Sequence, residues 1–100
     1  MTLQSDHGIQ NITVIGAGTM GAQIASLIAV HGFSVRLTDG WPETLPRAAE
    51  RIASDILPNL HRRQIGLLDP AAASAQIDIT DDLDGAAKCA DLIIEAVRED

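Results

Sequence analysis

The sequence predicts an α/β fold, a doubly wound parallel sheet with helices on both faces. Three observations carry the prediction. Four short apolar or alternating runs, at 12–15, 34–38, 77–79 and 91–97, are separated by segments whose apolar residues recur at helical spacing, and strands that alternate with helices pair in parallel through right-handed crossovers. The first run (ITVI) has no polar face, as in a strand covered on both sides. A chain of 100 residues, 46% of them apolar, also suffices for one core.

The first ten residues (MTLQSDHGIQ) are polar and aperiodic, so a loose lead-in is expected over 1–10 and a single domain over 11–100. The strand at 12–15 stops abruptly at Gly16. From Thr19 the period changes: Met20, Ile24, Leu27 or Ile28, and His31 share one side of a helix, and Gly32 stands where a left-handed residue would end it. The run SVRLT at 34–38 sets Val35 and Leu37 against Arg36 and ends at the turn pair Asp39-Gly40. Pro42 suits the first turn of the next helix, whose stripe is Leu45, Ala48 or Ala49, Ile52, Ile56 and Leu60. Pro58 removes a helical hydrogen bond and crowds the preceding turn, so a kink or break is expected just before it, with a second short helix to about Gln64. Asp69, Pro70 and the alanine-rich 71–75 read as N-cap, N1 proline and one or two helical turns. Ile77 and Ile79 flank Asp78 in a third strand, Asp84-Gly85 marks a turn beside a short helix, and 91–97 (DLIIEAV) is a fourth strand.

Composition excludes several function classes. Fifteen alanines and only two aromatic residues imply close packing of small side chains and argue against a platform for stacking single-stranded nucleic acid. The net charge of −7 repels phosphate backbones and anionic lipid, so neither nucleic acid nor a membrane is an expected partner. Most of that excess lies at the end, where 78–100 carry eight acids and two bases against six and five in 1–77; solvated loops account for it. Cys89 is the only cysteine, which leaves no intrachain disulfide, and it is expected to be a small buried side chain. The first residues resemble neither a secretion signal nor a transit peptide, and no apolar stretch approaches the roughly 20 residues of a membrane span, so a cytoplasmic chain is expected.

The chemistry sits in Gly16-Ala17-Gly18-Thr19-Met20-Gly21, a GxGxxG motif placed after a strand and at the mouth of a helix, with an acid, Asp39, at the end of the second strand. Gly16 allows a sharp turn, Gly18 has no Cβ to block the approach of a pyrophosphate, and Gly21 lets the helix pack closely on the sheet. The free N–H groups and positive end of the helix then face the diphosphate, so an acidic chain needs no basic side chain there. Asp39 can accept hydrogen bonds from ribose hydroxyls and would repel a 2′-phosphate, which favours NAD over NADP. Met20 either faces the core or touches the pyrophosphate. The constellation makes the fold Rossmann-type, with strand order 3-2-1-4 for its first four strands and no expected metal site.

These residues resemble the NAD-binding domain of the L-3-hydroxyacyl-CoA dehydrogenases, 3-hydroxybutyryl-CoA dehydrogenases included. The resemblance covers VIGAGTMG at 14–21, VRLTD at 35–39, ITDDL at 79–83 and, most specifically, ADLIIEAVRED at 90–100. It implies hydride transfer between NAD and the 3-hydroxyl of an L-3-hydroxyacyl-CoA, a homodimeric full-length protein and a role in fatty acid metabolism. By similarity, Ala96, Val97 and Glu99 lie along the cofactor near its nicotinamide half. The family's catalytic His and Glu come from a later segment, so the domain is expected to stop short of them; His7, His31 and His61 do not replace that His, and no catalytic residue is assigned. Where the family turns a hydroxyl residue and a Lys toward coenzyme A, this chain has Asp55 and Arg62, with Ser54 adjacent. Related dehydrogenases of carnitine or sugar-acid type need no coenzyme A, and a non-catalytic nucleotide-sensing module shares the glycines and the acid; both remain alternatives. The last strand is expected to leave an open edge at 92–97.

Overall fold

The structure, a computed structural model, describes residues 9–96. In chain order it contains β1 (Asn11–Ile15), α1 (Thr19–Val30), β2 (Ser34–Thr38), a 3-10 turn (Pro42–Thr44), α2 (Leu45–Arg51) and a π-helical segment (Ile52–Ile56). There follow α3 (Leu57–Arg62), α4 (Pro70–Ala75), β3 (Ile77–Ile79), α5 (Leu83–Lys88) and β4 (Leu92–Glu95). The strands pair in parallel in the order β3-β2-β1-β4, the Rossmann-type order that the sequence implies. Ile15 stands opposite both Thr38 and Glu95, so three strands end at one level and the residues that follow them, Gly16, Asp39 and Ala96, gather there. Connections leave β1 in opposite directions on its two sides, which makes the β1/β4 boundary the switch point where such sheets bind ligands.

The two faces of the sheet differ. Alternation puts Val14, Val35 and Leu37 in the main core with Leu45, Ala48, Ile52 and Leu57. Thr13 faces the other way, fully buried, and its hydroxyl donates to the carbonyl of Ala86 in α5 at 2.7 Å. Thr38 is also fully buried, and its hydroxyl has no hydrogen-bond partner among the described residues.

The buried face of α1 is only in part the expected stripe of large residues, of which Ile24 and Ile28 pack half-buried against the core. Gly21, Ala22, Ala25, Ser26, Ala29 and Val30 meet the sheet, whereas Met20 is 65% exposed and Leu27 41%. The cause is closeness: near its start the helix lies so near the strands that only small side chains fit, and the larger ones are displaced to the flanks. The helix ends as expected, with Gly32 at φ 96°.

The second crossover keeps its stripe. Leu45, Ala48, Ile52, Ile56 and Leu60 are all buried. From Ala48 to Leu60 an unbroken α-helix would turn through roughly 1,200°, about 120° past three full turns, which would carry Leu60 off the face. The π segment, with Leu57 N–H donating to the carbonyl of Ile52, takes more residues per turn and brings the stripe back into line. The kink expected before Pro58 therefore takes the form of a wide turn, and the helix is not broken.

Asp69 caps α4 as expected, accepting from Ala72 N–H at 2.8 Å. Three expectations are corrected. Asp84-Gly85 is not a turn but lies inside α5, which Asp82 caps by accepting from Gly85 N–H at 3.1 Å. Cys89 is exposed, because α5 turns only Ala86 firmly into the sheet. The fourth strand is Leu92–Glu95, shorter than the expected 91–97 by Asp91 at its start and Ala96 at its end, and Val97 lies outside the described residues.

Candidate functional site

The sharp turn after β1 is tied to the end of β2 by two hydrogen bonds. Gly16 takes φ 115°, a conformation that a side chain would strain. Its N–H donates to the carbonyl of Thr38 at 2.8 Å, and the next N–H, of Ala17, donates to Asp39 Oδ2 at 2.7 Å. Gly18 is the N-cap of α1, in an extended conformation, and its carbonyl accepts from Ala22 N–H at 3.0 Å. No side chain caps the helix and no acid occupies its first turn. The N–H groups that an α-helix leaves free at its start, with the positive end of its dipole, are thus open to an anion.

Two glycines of this turn are required for different reasons. A Cβ on Gly21 would overlap the carbonyl oxygen of Gly16 and lie 3.7 Å from Ala96 Cβ, so this glycine lets α1 pass the strand ends. A Cβ on Gly18 would meet no protein atom within 4 Å. Nothing in the fold itself demands a glycine at 18. The open space above it, next to unpaired helix N–H groups, fits a diphosphate, and the donor set is one that holds an anion without a metal.

Asp39 braces the turn and keeps capacity for a ligand. Oδ2 accepts from Ala17 and Oδ1 from Trp41 N–H at 2.8 Å. Asp39 is thus also a turn-capping carboxylate. A carboxylate offers about four acceptor sites, so two remain for other donors. Trp41, beside it, is 71% exposed.

Ala96 N–H donates to the carbonyl of Ile15 at 2.8 Å, which sets Ala96 directly beside the glycine turn. Gly16, Ala17, Gly18, Thr19, Met20, Gly21, Asp39 and Ala96 are thus brought together at the strand ends. Val97 and Glu99 lie outside the described residues. Met20 is exposed beside the turn, which removes its core-facing reading. His31 ends α1, its Nδ1 2.7 Å from the carbonyl of Leu27, and is roughly 18 Å down the helix from Thr19. His61 is exposed on α3, and His7 lies outside the described residues. On the same crossover Asp55 is exposed, Ser54 Oγ donates back to Glu50, and Arg62 leans on Asn59 at 3.4 Å.

One residue at the site is not evident from the motif. Arg51, at the end of α2, donates from Nη1 to Thr19 Oγ1 at 2.9 Å. Its only sequence signal is its place one residue before the stripe member Ile52, and the side of the helix it takes depends on how α2 packs on α1.

Residues 11–100 match the family described as 3-hydroxyacyl-CoA dehydrogenase, NAD binding domain. The chain is 37% identical over 93 residues to the 5-formyl-3-hydroxy-2-methylpyridine 4-carboxylate 5-dehydrogenase of Mesorhizobium japonicum, covering 91% of this chain and 28% of that protein. It is 35% identical over 91 residues to the 3-hydroxyadipyl-CoA dehydrogenase of Escherichia coli, covering 91% of this chain and 19% of that one. Among solved structures, a diketoreductase acting on dicarbonyl compounds superposes with a TM-score of 0.80 at 40% identity, over 92% of this chain and 33% of that chain. The chain spans less than a third of the length of these two curated relatives.

Proposed function

The chain belongs to the NAD-binding-domain family of the 3-hydroxyacyl-CoA dehydrogenases, and from that premise we propose that it is the cofactor-holding part of an oxidoreductase that moves a hydride between NAD and the 3-hydroxyl of an L-3-hydroxyacyl-CoA. The observation that carries this reading to particular residues is Gly18, a glycine with no protein neighbour to explain it, at the open start of α1. Gly16 to Gly21 hold the diphosphate through backbone N–H groups, and Asp39 accepts from the adenosine ribose. Ala96, with Val97 and Glu99 carried over from the resemblance, borders the nicotinamide half.

The chemistry that NAD supplies when bound is acceptance of a hydride at its nicotinamide ring. This chain's contribution is to bind and orient. The helix start and the turn fix the diphosphate, the carboxylate fixes the ribose, and the β1/β4 switch point directs the ring past the ends of the strands. Asp39 also disfavours a 2′-phosphate by charge. Titration with NADH, read by energy transfer from Trp41, the single tryptophan, is expected to give at least about tenfold tighter binding than NADPH, given the ~1.5–3 kcal/mol of a hydrogen bond to a charged group. Equal affinities would sink the ribose assignment.

A second substrate reading is favoured by two relatives whose names carry no coenzyme A, the pyridine carboxylate dehydrogenase and the diketoreductase, and by the exposed acid Asp55 on the second crossover. On that reading the whole protein oxidises a free hydroxy compound. Comparing kcat/KM of the full-length protein for a 3-hydroxyacyl-CoA and for the corresponding free acid separates the two. The resemblance supports a homodimer and fatty acid metabolism for the first reading, while a cytoplasmic location rests on the leader-like features the sequence lacks; no helix of the described residues is long and apolar enough to cross a membrane.

A further inference from the structure

The glycine turn itself supplies backbone donors and the Thr19 hydroxyl but no cation, since 16–21 contain no basic side chain. A cation nevertheless stands at its mouth. Arg51 Nη1 donates to Thr19 Oγ1 at 2.9 Å, and Thr19 is the first residue of α1, next to the open space above Gly18. We propose that Arg51 is a further cofactor-contacting residue, a cation brought from the second crossover to the diphosphate of NAD. The proposal rests on the reading of the glycine turn as the diphosphate site.

Three features of Arg51 fit that role. A guanidinium carries five donors, and one is committed to Thr19. No carboxylate of the described residues lies within 4.0 Å of it, the only ion pair there being Arg36 with Asp78. Arg51 is also half-buried, its position fixed by Ile52, the next residue, which is 3% exposed in the core. The π segment begins at Ile52, and such wide turns recur at functional sites. Here it keeps Ile52, Ile56 and Leu60 inward together, so the residue before Ile52 is held on the flank that faces the start of α1. Thr19, because its oxygen accepts from Arg51, keeps its own hydroxyl hydrogen to donate to a phosphate oxygen.

The test is a titration of the full chain and of its R51Q, R51K and T19V variants with NADH, ADP and adenosine. Arg47, exposed one helical turn earlier, provides the control R47Q. The expected result is a loss of about tenfold or more for NADH and ADP in R51Q, the size of one charge-assisted hydrogen bond, with adenosine changed less than about twofold. R51K and T19V are expected to lose part of that affinity. The dependence of NADH binding on salt should become shallower in R51Q and stay as it is in R47Q. Wild-type NADH binding with no loss in R51Q overturns the proposal while leaving the site standing, as does an equal loss in R47Q or a loss shared by adenosine. No NADH binding by the wild-type chain would overturn the reading on which the proposal rests. Matching thermal melts of R51Q and wild type keep a folding defect out of the comparison.

Discussion

Strands β2 and β4 are the two parallel neighbours of β1, in register with it to the same final level, yet they are held by different forces. In β2, Val35 and Leu37 are 1% and 0% exposed, closed in by α1 and the second crossover. In β4, Leu92 and Ile93 are 42% and 45% exposed. Its start is tied down instead by backbone and one carboxylate: Asp91 N–H donates to the carbonyl of Asn11 at 2.7 Å, and Asp91 Oδ2 accepts from Gln10 and Asn11 N–H, each at 2.9 Å. The β2 side of the candidate site therefore stands on packing, and the β4 side stands on hydrogen bonds at a sheet edge.

The sharpest way to break that contrast is at the joint between turn and helix. Gly21→Ala places a methyl on the Gly16 carbonyl, and because backbone must move to admit it the cost is expected to reach about 3 kcal/mol or more, read as a lower midpoint in urea unfolding. Next in size is the pair Leu37→Ala and Ile93→Ala. The first empties a fully buried site, for which about 2–5 kcal/mol is usual, whereas the second, half-exposed, should cost about 1 kcal/mol or less. Similar losses at the two positions would mean that β4 is packed as firmly as β2.

The same contrast decides what the sequence revealed. Elements that close on themselves were legible: the β-branched 12–15, the alternation of Val35 and Leu37, the Asp69-Pro70 cap and the period-four stripe from Ala48 to Leu60 all carry their own chemistry. The buried side of α1 was not, because a helix lying close on a sheet selects alanine and glycine, and a search for large apolar residues finds the flanks, where Met20 and Leu27 sit. Gly85 read as a turn because a glycine inside a helix is unfavourable in isolation; the Asp82 cap that accommodates it acts through three-dimensional geometry. Of the candidate site, the glycines and Asp39 follow from local sequence, whereas Arg51 reaches Thr19 across 32 positions of the chain and depends on the π turn.

Gly18→Ala sharpens the comparison between structure and ligand. The added methyl meets no protein atom and Gly18 has φ −74°, so stability should stay within about 1 kcal/mol of wild type, the range of an N-cap exchange. NADH affinity should nevertheless fall by about tenfold or more, because the methyl occupies the space assigned to the diphosphate. Retained NADH affinity in this variant would move the diphosphate away from Gly18.

The smallest effect is at the β4 edge. The Asp91 carboxyl is held below its ordinary value of 3.8, first by the N–H of Gln10 and then by that of Asn11. A carboxyl whose folded pKa is depressed stabilises the fold above its unfolded pKa and loses that contribution as pH falls through the folded one. Acidification below about pH 4 should therefore loosen the start of β4 before it affects β2. The check is a pH titration of backbone amide shifts, in which Gln10, Asn11 and Ile93 to Glu95 move with Asp91 while Val35 and Leu37 hold. At neutral pH, Asp91→Asn should speed amide exchange in β4 several-fold and leave β2 within about twofold, since an opening confined to one edge does not require the core to unfold. Equal acceleration in both strands would show that the edge and the core open as one unit.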